Sequence, residues 1–198
     1  MLFRSVSFTG VGTTTALGDV AITSGTLTFG GDITLAASKA LTVTNSGVWT
    51  IPASTVTAPA GITQNGSGAS ALSGNATLAT TDSAVSFDAV INGSGDLTVS
   101  AGTGAVSLTG MGSGTAAGDV VITAGTVNLG GDVTLAASKA LTVTNSGVWT
   151  IPASTITAPA GITQNGSGAS ALSGAATLVA TDRDRKSTRL NSSHLVIS

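Results

Sequence analysis

The chain contains the same block of sequence twice, at an offset of 100 residues. Residues 31–74 recur at 131–174 with only two Ile/Val exchanges, and a looser match extends outward on both sides. Self-similarity at a fixed offset is typical of repeat architectures, in which each unit packs on its neighbours. Duplicated units build length, stiffness or surface, whereas an enzyme needs one irregular group of reactive side chains. The repeat therefore predicts a scaffold and not a catalyst.

The two ends of the chain differ in composition from the repeat. Five of the seven basic residues and the single histidine lie within residues 1–5 and 183–198. Residues 184–194 are similar to a translated sequencing adapter, and residues 2–5 to the same adapter inverted. We therefore expect both ends to be adapter-derived and exclude them from fold reasoning. A basic tail that binds nucleic acid or an acidic surface is the alternative.

Without these ends, the chain has a narrow chemical inventory. Residues 6–182 carry eight aspartates against Lys39 and Lys139, a formal charge of −6 instead of −2, and they contain no arginine or histidine. We expect residues 6–106 to form the first repeat and residues 107–182 a truncated second repeat continuous with it, both cut from a longer array. No apolar run is long enough for a membrane-spanning helix, and without cysteine there is no disulfide framework.

Alternation of apolar and polar residues predicts many short strands. Segments such as 19–23, 41–44 and 96–100 place larger apolar side chains on one face and Thr, Ser, Asp or Ala on the other, which is the pattern of a half-buried strand. Gly and Asn between the segments favour tight corners. Residues 36–41 are the one segment whose composition suggests a short helix, and we interpret them as a turn because the segment is brief and flanked by strands.

Two all-β architectures fit these strands. In a parallel β-helix (β-solenoid), each coil stacks on the next, so small interior residues suffice. About 20 residues per coil would then give about nine coils and a rod roughly 40 Å long. The alternative is a tandem pair of immunoglobulin-like β-sandwiches, whose usual size is close to 100 residues. Aromatic residues make up only 3% of the chain, whereas the core of a sandwich usually needs aromatic and large aliphatic side chains. The composition therefore favours the β-solenoid.

Few residues are candidates for chemistry. A Ser-His-Asp triad needs a histidine, and zinc sites need His or Cys, so the repeat lacks both sets. We predict no catalytic residues, no cofactor and no metal site. Asp32 and Asp132 each follow Gly-Gly, and we interpret them as turn residues that hydrogen-bond nearby backbone. A row of such aspartates binding Ca²⁺ is a weaker alternative, as is a β-helix carbohydrate-active enzyme in which three or more aspartates converge.

Two further patterns are candidates for contacts with ligands. Trp49 and Trp149 could stack on sugars and line up along a rod, but packing within a coil is the favoured interpretation. Thr-x-Thr occurs at residues 26–28, 42–44 and 55–57. Because the intervals are uneven, the sequence predicts no regular rank of hydroxyl groups.

Two segments resemble the strand repeats of very large bacterial surface proteins. These are GDITLAASKALTVT at residues 31–44 and NGSGDLTVSAGTGAVSLT at residues 92–109. They are similar to filamentous-haemagglutinin-like and autotransporter-like adhesins. The resemblance implies a secreted, outer-membrane-associated stalk or passenger on the cell surface, whose partners are host or surface glycans, proteins and other modules of the same chain. It transfers no functional residue.

Overall fold

The computed structural model describes residues 3–181, and all regular secondary structure there is β-strand. The adapter-like residues 183–198 and residues 1–2 lie outside the described part. The first eleven strands are β1 (Phe3–Phe8), β2 (Val20–Phe29), β3 (Ile33–Thr34), β4 (Ala40–Asn45), β5 (Trp49–Ile51), β6 (Thr55–Thr57), β7 (Gly61–Gln64), β8 (Ser70–Leu72), β9 (Ala76–Ala79), β10 (Val85–Phe87) and β11 (Ile91–Asn92). The others are β12 (Leu97–Ser100), β13 (Ala105–Leu108), β14 (Val120–Ala124), β15 (Thr126–Leu129), β16 (Val133–Thr134), β17 (Ala140–Asn145), β18 (Trp149–Ile151), β19 (Thr155–Thr157), β20 (Gly161–Gln164), β21 (Ser170–Leu172) and β22 (Thr177–Val179).

Every pairing among these strands is parallel and joins one coil to the next. Residues paired between these strands are 21 to 23 positions apart, as in Val20↔Leu41 and Ile33↔Val56. The chain thus winds as a β-solenoid of about eight turns. The predicted fold class is confirmed, and the tandem sandwich alternative is wrong because its sheets are antiparallel. The coil is slightly longer than the predicted 20 residues.

Each coil has three sides, so the strands stack in three columns. Column one consists of the first half of β2, then β4, β7, β10, β13, β15, β18 and β21. Column two consists of β1, the second half of β2, β5, β8, β11, β16, β19 and β22, with Met111 between β11 and β16. Column three consists of β3, β6, β9, β12, β14, β17 and β20.

The core is a single apolar interior that runs along the stack. Alternate residues of each strand point inward, so β4 and β17 share the burial pattern in which Leu41, Val43 and their counterparts are buried. Each inward side chain packs on residues of the coils above and below. Val, Leu and Ile therefore fill the interior with few aromatic rings, as the composition requires.

The segment suspected of helical character is a turn, as predicted. The Lys39 amide donates to the Ala36 carbonyl at 3.1 Å, and Ser38 has a φ of 60°. The second copy repeats this geometry, with Ser138 also at 60°. Identical sequence therefore gives identical local backbone at two places in the stack.

The 100-residue repeat does not contain a whole number of turns. Starting from Trp49, the same column passes through Ser70, Ile91 and Met111 to Val133 on the fourth coil above and Ile156 on the fifth. Residue 149 lies about two thirds of the way along the chain from Val133 to Ile156. One repeat therefore advances four turns and about two thirds, so equivalent residues of successive repeats lie in different columns.

Candidate functional surface and the bonds between coils

Both tryptophans are core residues. Trp49 is 0% exposed and Trp149 is 1% exposed, so neither ring offers a face to a ligand and the packing interpretation describes both. The Trp49 indole stacks on the Phe87 ring with centroids 5.4 Å apart and planes 4° from parallel. The alternative interpretation, in which the two tryptophans line up along the rod, does not describe the structure. Trp49 is in column two and Trp149 in column one, because the repeat is not a whole number of turns.

The corner aspartates connect successive coils. Asp32 Oδ1 accepts a hydrogen bond from the Thr55 amide at 3.0 Å, and Asp132 Oδ1 accepts one from the Thr155 amide at 2.8 Å. The donor is a backbone amide, as predicted. It lies 23 residues further along the chain, on the next coil, and not within the same corner. Six further Asp or Asn side chains accept an amide of the next coil at 2.7–3.0 Å in the same way, namely Asp19, Asn75, Asp82, Asn92, Asp96 and Asp119.

Among the described residues, neither Asp32 nor Asp132, the two calcium candidates, lies in a group of side chains that could hold a metal ion. Asp32 precedes column three and Asp132 precedes column two, so the two do not stack above one another. Within residues 3–181, no group of three or more Asp, Glu, His or Cys side chains is placed to hold a metal ion. Asp96 and Asp119 do lie above one another on successive coils, and their carboxylates form ion pairs with Lys139.

Lys139 bridges two carboxylates of successive coils. Its Nζ lies 2.9 Å from Asp96 Oδ1 and 3.0 Å from Asp119 Oδ2. The Lys139 ammonium and the Asp119 amide hold the pKa of Asp96 below its ordinary value, and the two carboxylates raise the pKa of Lys139. In the first copy, Lys39 contacts Asp19 at 3.2 Å. The arrangement is a partly exposed ion pair network that joins coils, in which one ammonium group faces two carboxylates.

Replacing Lys139 with methionine is expected to lower the thermal midpoint by at most a few degrees at pH 7, because the ion pairs are solvent-screened. Since the pKa of Asp96 is lowered, its contribution is fully present above the ordinary carboxyl value of about 3.9 and is lost progressively as the pH falls below that value and through the lowered pKa. The raised pKa of Lys139 adds a second loss above about pH 10.4. Circular dichroism melts at pH 7 and pH 3 measure the difference.

Lys39→Met is the matched control, because Lys39 contacts one aspartate and Lys139 contacts two. We expect the smaller decrease for Lys39→Met, and molar salt should reduce both. Equal decreases for the two variants, or a Lys139→Met effect that is undiminished at pH 3, would contradict the role assigned to Asp96.

The buried side-chain amides of Asn45 and Gln64 form hydrogen bonds with the backbone at one corner of the interior. Gln64 Nε2 donates to Asn45 Oδ1 at 2.8 Å and to the Gly66 carbonyl at 2.6 Å, and Asn45 Nδ2 donates to the Gly68 carbonyl at 3.0 Å. Gln64 Oε1 accepts the Ala89 amide of the following coil at 3.1 Å. Buried polar groups are tolerated only when paired in this way. The amides therefore hold a glycine-rich corner and are not free to bind a ligand.

The structure brings together a surface that sequence spacing did not reveal. On the outward side of column three, two ranks of small side chains, mostly threonine, run along the stack, and all are exposed or half-exposed. The first rank is Thr55, Thr77, Thr98, Val121, Thr142 and Thr163. The second rank is Thr34, Thr57, Ala79, Ser100, Thr123 and Thr144. We call these twelve positions the threonine surface.

The threonine surface was missed because its members come from different coils. The Thr-x-Thr motifs at residues 26–28, 42–44 and 55–57 lie in columns two, one and three, so their intervals along the chain carry no surface period. The period that matters is the coil, at 21 to 23 residues here. A fixed step of 22 residues does not find it, because the spacing changes from coil to coil and a step that is wrong by one residue reaches an inward-facing side chain. Neighbouring threonines are then about 4.8 Å apart along the stack and about 7 Å apart between ranks.

No family model matches the chain, and neither a curated protein nor a solved structure matches it. In the described part of the chain, no helix is long and apolar enough to cross a membrane.

Proposed function

We propose that this chain is a structural and adhesive segment of a large, secreted or cell-surface bacterial protein, acting as a stalk and as an extended contact surface. The observation that carries the proposal is the uninterrupted parallel stacking of about eight coils through both copies of the repeat. Every coil adds about 4.8 Å of length in one direction. Such a rod gains reach by adding repeats and needs no reactive site.

The bonds between coils support the stalk role. Eight Asp and Asn side chains each accept an amide hydrogen from the next coil, at corners distributed along the rod. These contacts add to the backbone pairing on each side, so adjacent coils are tied at both strand and corner. Lateral stiffness follows because bending would have to stretch both kinds of bond.

The contact role is supported by the threonine surface. Its side chains offer hydroxyl and methyl groups with no formal charge, which suits contact with neutral glycans or protein surfaces. In a longer array, the offset of about two thirds of a turn would place the equivalent positions of the next repeat in another column. Contact groups would then be displayed around the rod and not on one side only.

The stalk role is tested by inserting one or two extra copies of residues 31–130 after residue 130. We expect each unit to lengthen the rod by about 20 Å, because it adds four turns and about two thirds at the strand spacing. Small-angle scattering and electron microscopy measure the length. Insertion of a Gly/Ser linker of 100 residues is the matched control, because a flexible chain adds no rod of fixed cross-section.

The same three rods, attached to beads at equal density, test the contact role. Binding to glycan-coated or cell surfaces should rise with the number of units, since linked contacts add avidity. A rod whose length does not increase with added units contradicts the stalk proposal. Rods that lengthen but bind no surface restrict the proposal to the stalk.

A further inference from the structure

We propose that Asn65 is a site of spontaneous covalent modification, at which the backbone nitrogen of Gly66 displaces the side-chain amide and water then converts the residue to aspartate and isoaspartate. The tetrapeptide Asn-Gly-Ser-Gly occurs at residues 65–68 and at residues 92–95. The sequence from the asparagine onward is therefore the same at both places. The structure gives the two asparagines different surroundings.

The reaction needs a nucleophilic backbone nitrogen and an electrophilic side-chain carbonyl. The Gly66 nitrogen attacks Asn65 Cγ, a C–N bond forms, and the bond from Cγ to Nδ2 breaks. Ammonia leaves with the proton that the Gly66 amide gives up, and a five-membered succinimide ring remains. Water then opens the ring at either of its carbonyls, which gives aspartate or an isoaspartyl linkage. Glycine favours ring closure because it has no Cβ to obstruct it.

The surroundings of Asn65 favour this attack. The Thr44 hydroxyl donates a hydrogen bond to Asn65 Oδ1 at 2.5 Å. This oxygen becomes negatively charged when the nitrogen adds to Cγ, and a donor placed there stabilises the charge. The Asn65 side chain is exposed, so water can reach the ring. Among the described residues, the Gly66 amide donates no hydrogen bond, so no carbonyl has to be released before it attacks.

At Asn92 the nucleophile is held by the next coil. Asn92 Oδ1 accepts hydrogen bonds from the amides of Gly114 at 2.8 Å and Thr115 at 3.4 Å. The carbonyl is therefore polarised at both asparagines. The difference is that the Gly93 amide donates to the Thr115 carbonyl at 3.2 Å. Because attack would break this bond and pull the side chain from the amides that hold it, we expect Asn92 to react only where the coils separate.

The products would change the corner at residues 65–68. Both add a carboxylate. The isoaspartyl form also lengthens the backbone before Gly66 by one methylene group. The Gly66 carbonyl accepts a hydrogen bond from Gln64 Nε2 at 2.6 Å, and a Cβ at Gly66 would overlap the Asn45 carbonyl oxygen on the coil below. Since this corner has no room for a longer backbone, modification should loosen the contact between the two coils as the protein ages.

The test incubates the full chain at mildly alkaline pH, folded and in urea. Trypsin cleaves after Lys39 and Lys139, and the fragment between them contains Asn65 and Asn92 as its only asparagines followed by glycine. Mass spectrometry with electron-transfer fragmentation measures aspartate and isoaspartate at each site. We expect Asn65 to react at least about tenfold faster than Asn92 in the folded chain, and the two rates to converge in urea.

Two variants test the role of the Thr44 hydroxyl. Thr44→Val should slow the reaction at Asn65 by about threefold or more, and Thr44→Ser, which keeps the hydroxyl, should restore the rate. Continued protection of Asn92 in both variants shows that the coils remain stacked. Accumulation of isoaspartate at residue 65 should also lower the thermal midpoint, in comparison with Asn65→Ser protein aged in parallel.

Three outcomes would overturn the inference. The first is equal rates at Asn65 and Asn92 in the folded chain. The second is a folded chain in which Asn65 stays intact while it reacts in urea. The third is a Thr44→Val rate at Asn65 equal to that of the parent chain while Asn92 remains protected. A thermal midpoint that does not change as isoaspartate accumulates would contradict the effect on the corner.

Discussion

Replacing Trp49 with alanine is expected to lower the free energy of unfolding by about 3–5 kcal/mol, the usual cost of removing a large aromatic side chain from a core. Trp49 is fully buried and stacks on Phe87. The interior of each coil is narrow and is filled by a few side chains. Few of them could therefore move into the cavity that the indole would leave. Urea denaturation followed by circular dichroism measures the loss.

Val48→Ala is the control for this change. Val48 is the adjacent residue and is 43% exposed, so its truncation should change the free energy of unfolding by no more than about 0.5 kcal/mol. A double-mutant cycle with Phe87→Ala should give a coupling of about 0.5–1.5 kcal/mol for the stacked pair. Similar losses for Trp49→Ala and Val48→Ala would show that Trp49 does not pack in the core.

Gly68→Ala is expected to destabilise the chain by about 1–3 kcal/mol or more, although it adds a single methyl group. A Cβ at Gly68 would overlap the carbonyl oxygen of Gly47 on the coil below and would lie 2.7 Å from Asn45 Nδ2. The obstacle is the backbone of the neighbouring coil, which cannot move without separating the coils. The shift should appear as a lower urea midpoint.

Gly18→Ala is the matched control, because a Cβ at Gly18 meets no atom within 4 Å. Its effect should be neutral or slightly stabilising, since alanine restricts the unfolded chain more than glycine does. If the two variants are equally stable, the corner does not have the close approach between Gly47 and Gly68 that the structure shows.

Local structure was largely predictable from the sequence. The alternation in residues 41–44 and 96–100 corresponds to β4 and β12, because a period of two sorts side chains to opposite faces of a strand. One boundary differs. Glycine favours a corner, as at Gly25, but β2 continues through this residue, since Ser24 pairs with Asn45 above and Phe3 below. Propensity indicates where a corner can form, and pairing decides whether the strand is interrupted there.

Contacts between coils could not be derived from the sequence in the same way. The aspartate prediction identified backbone as the partner of Asp32, but Thr55 is 23 residues distant. Choosing that partner requires the coil length, which varies from 21 to 23 residues between paired strands as corners gain or lose a residue. The threonine surface was missed for the same reason, because an error of one residue per coil accumulates over six coils.

The sequence by itself determined the all-β class, the parallel stacking of small residues and the local geometry of each unit. Strand alternation, corner glycines and scarce aromatics act over a few residues, so Ser38 and Ser138 have the same φ although they lie 100 residues apart. The tertiary structure alone decided which column each unit occupies. Identical strands β4 and β17 lie in columns one and three, because the position around the rod depends on the summed lengths of all intervening coils. For the same reason, Trp49 and Trp149 are identical in local sequence, equally buried and yet on different sides of the solenoid.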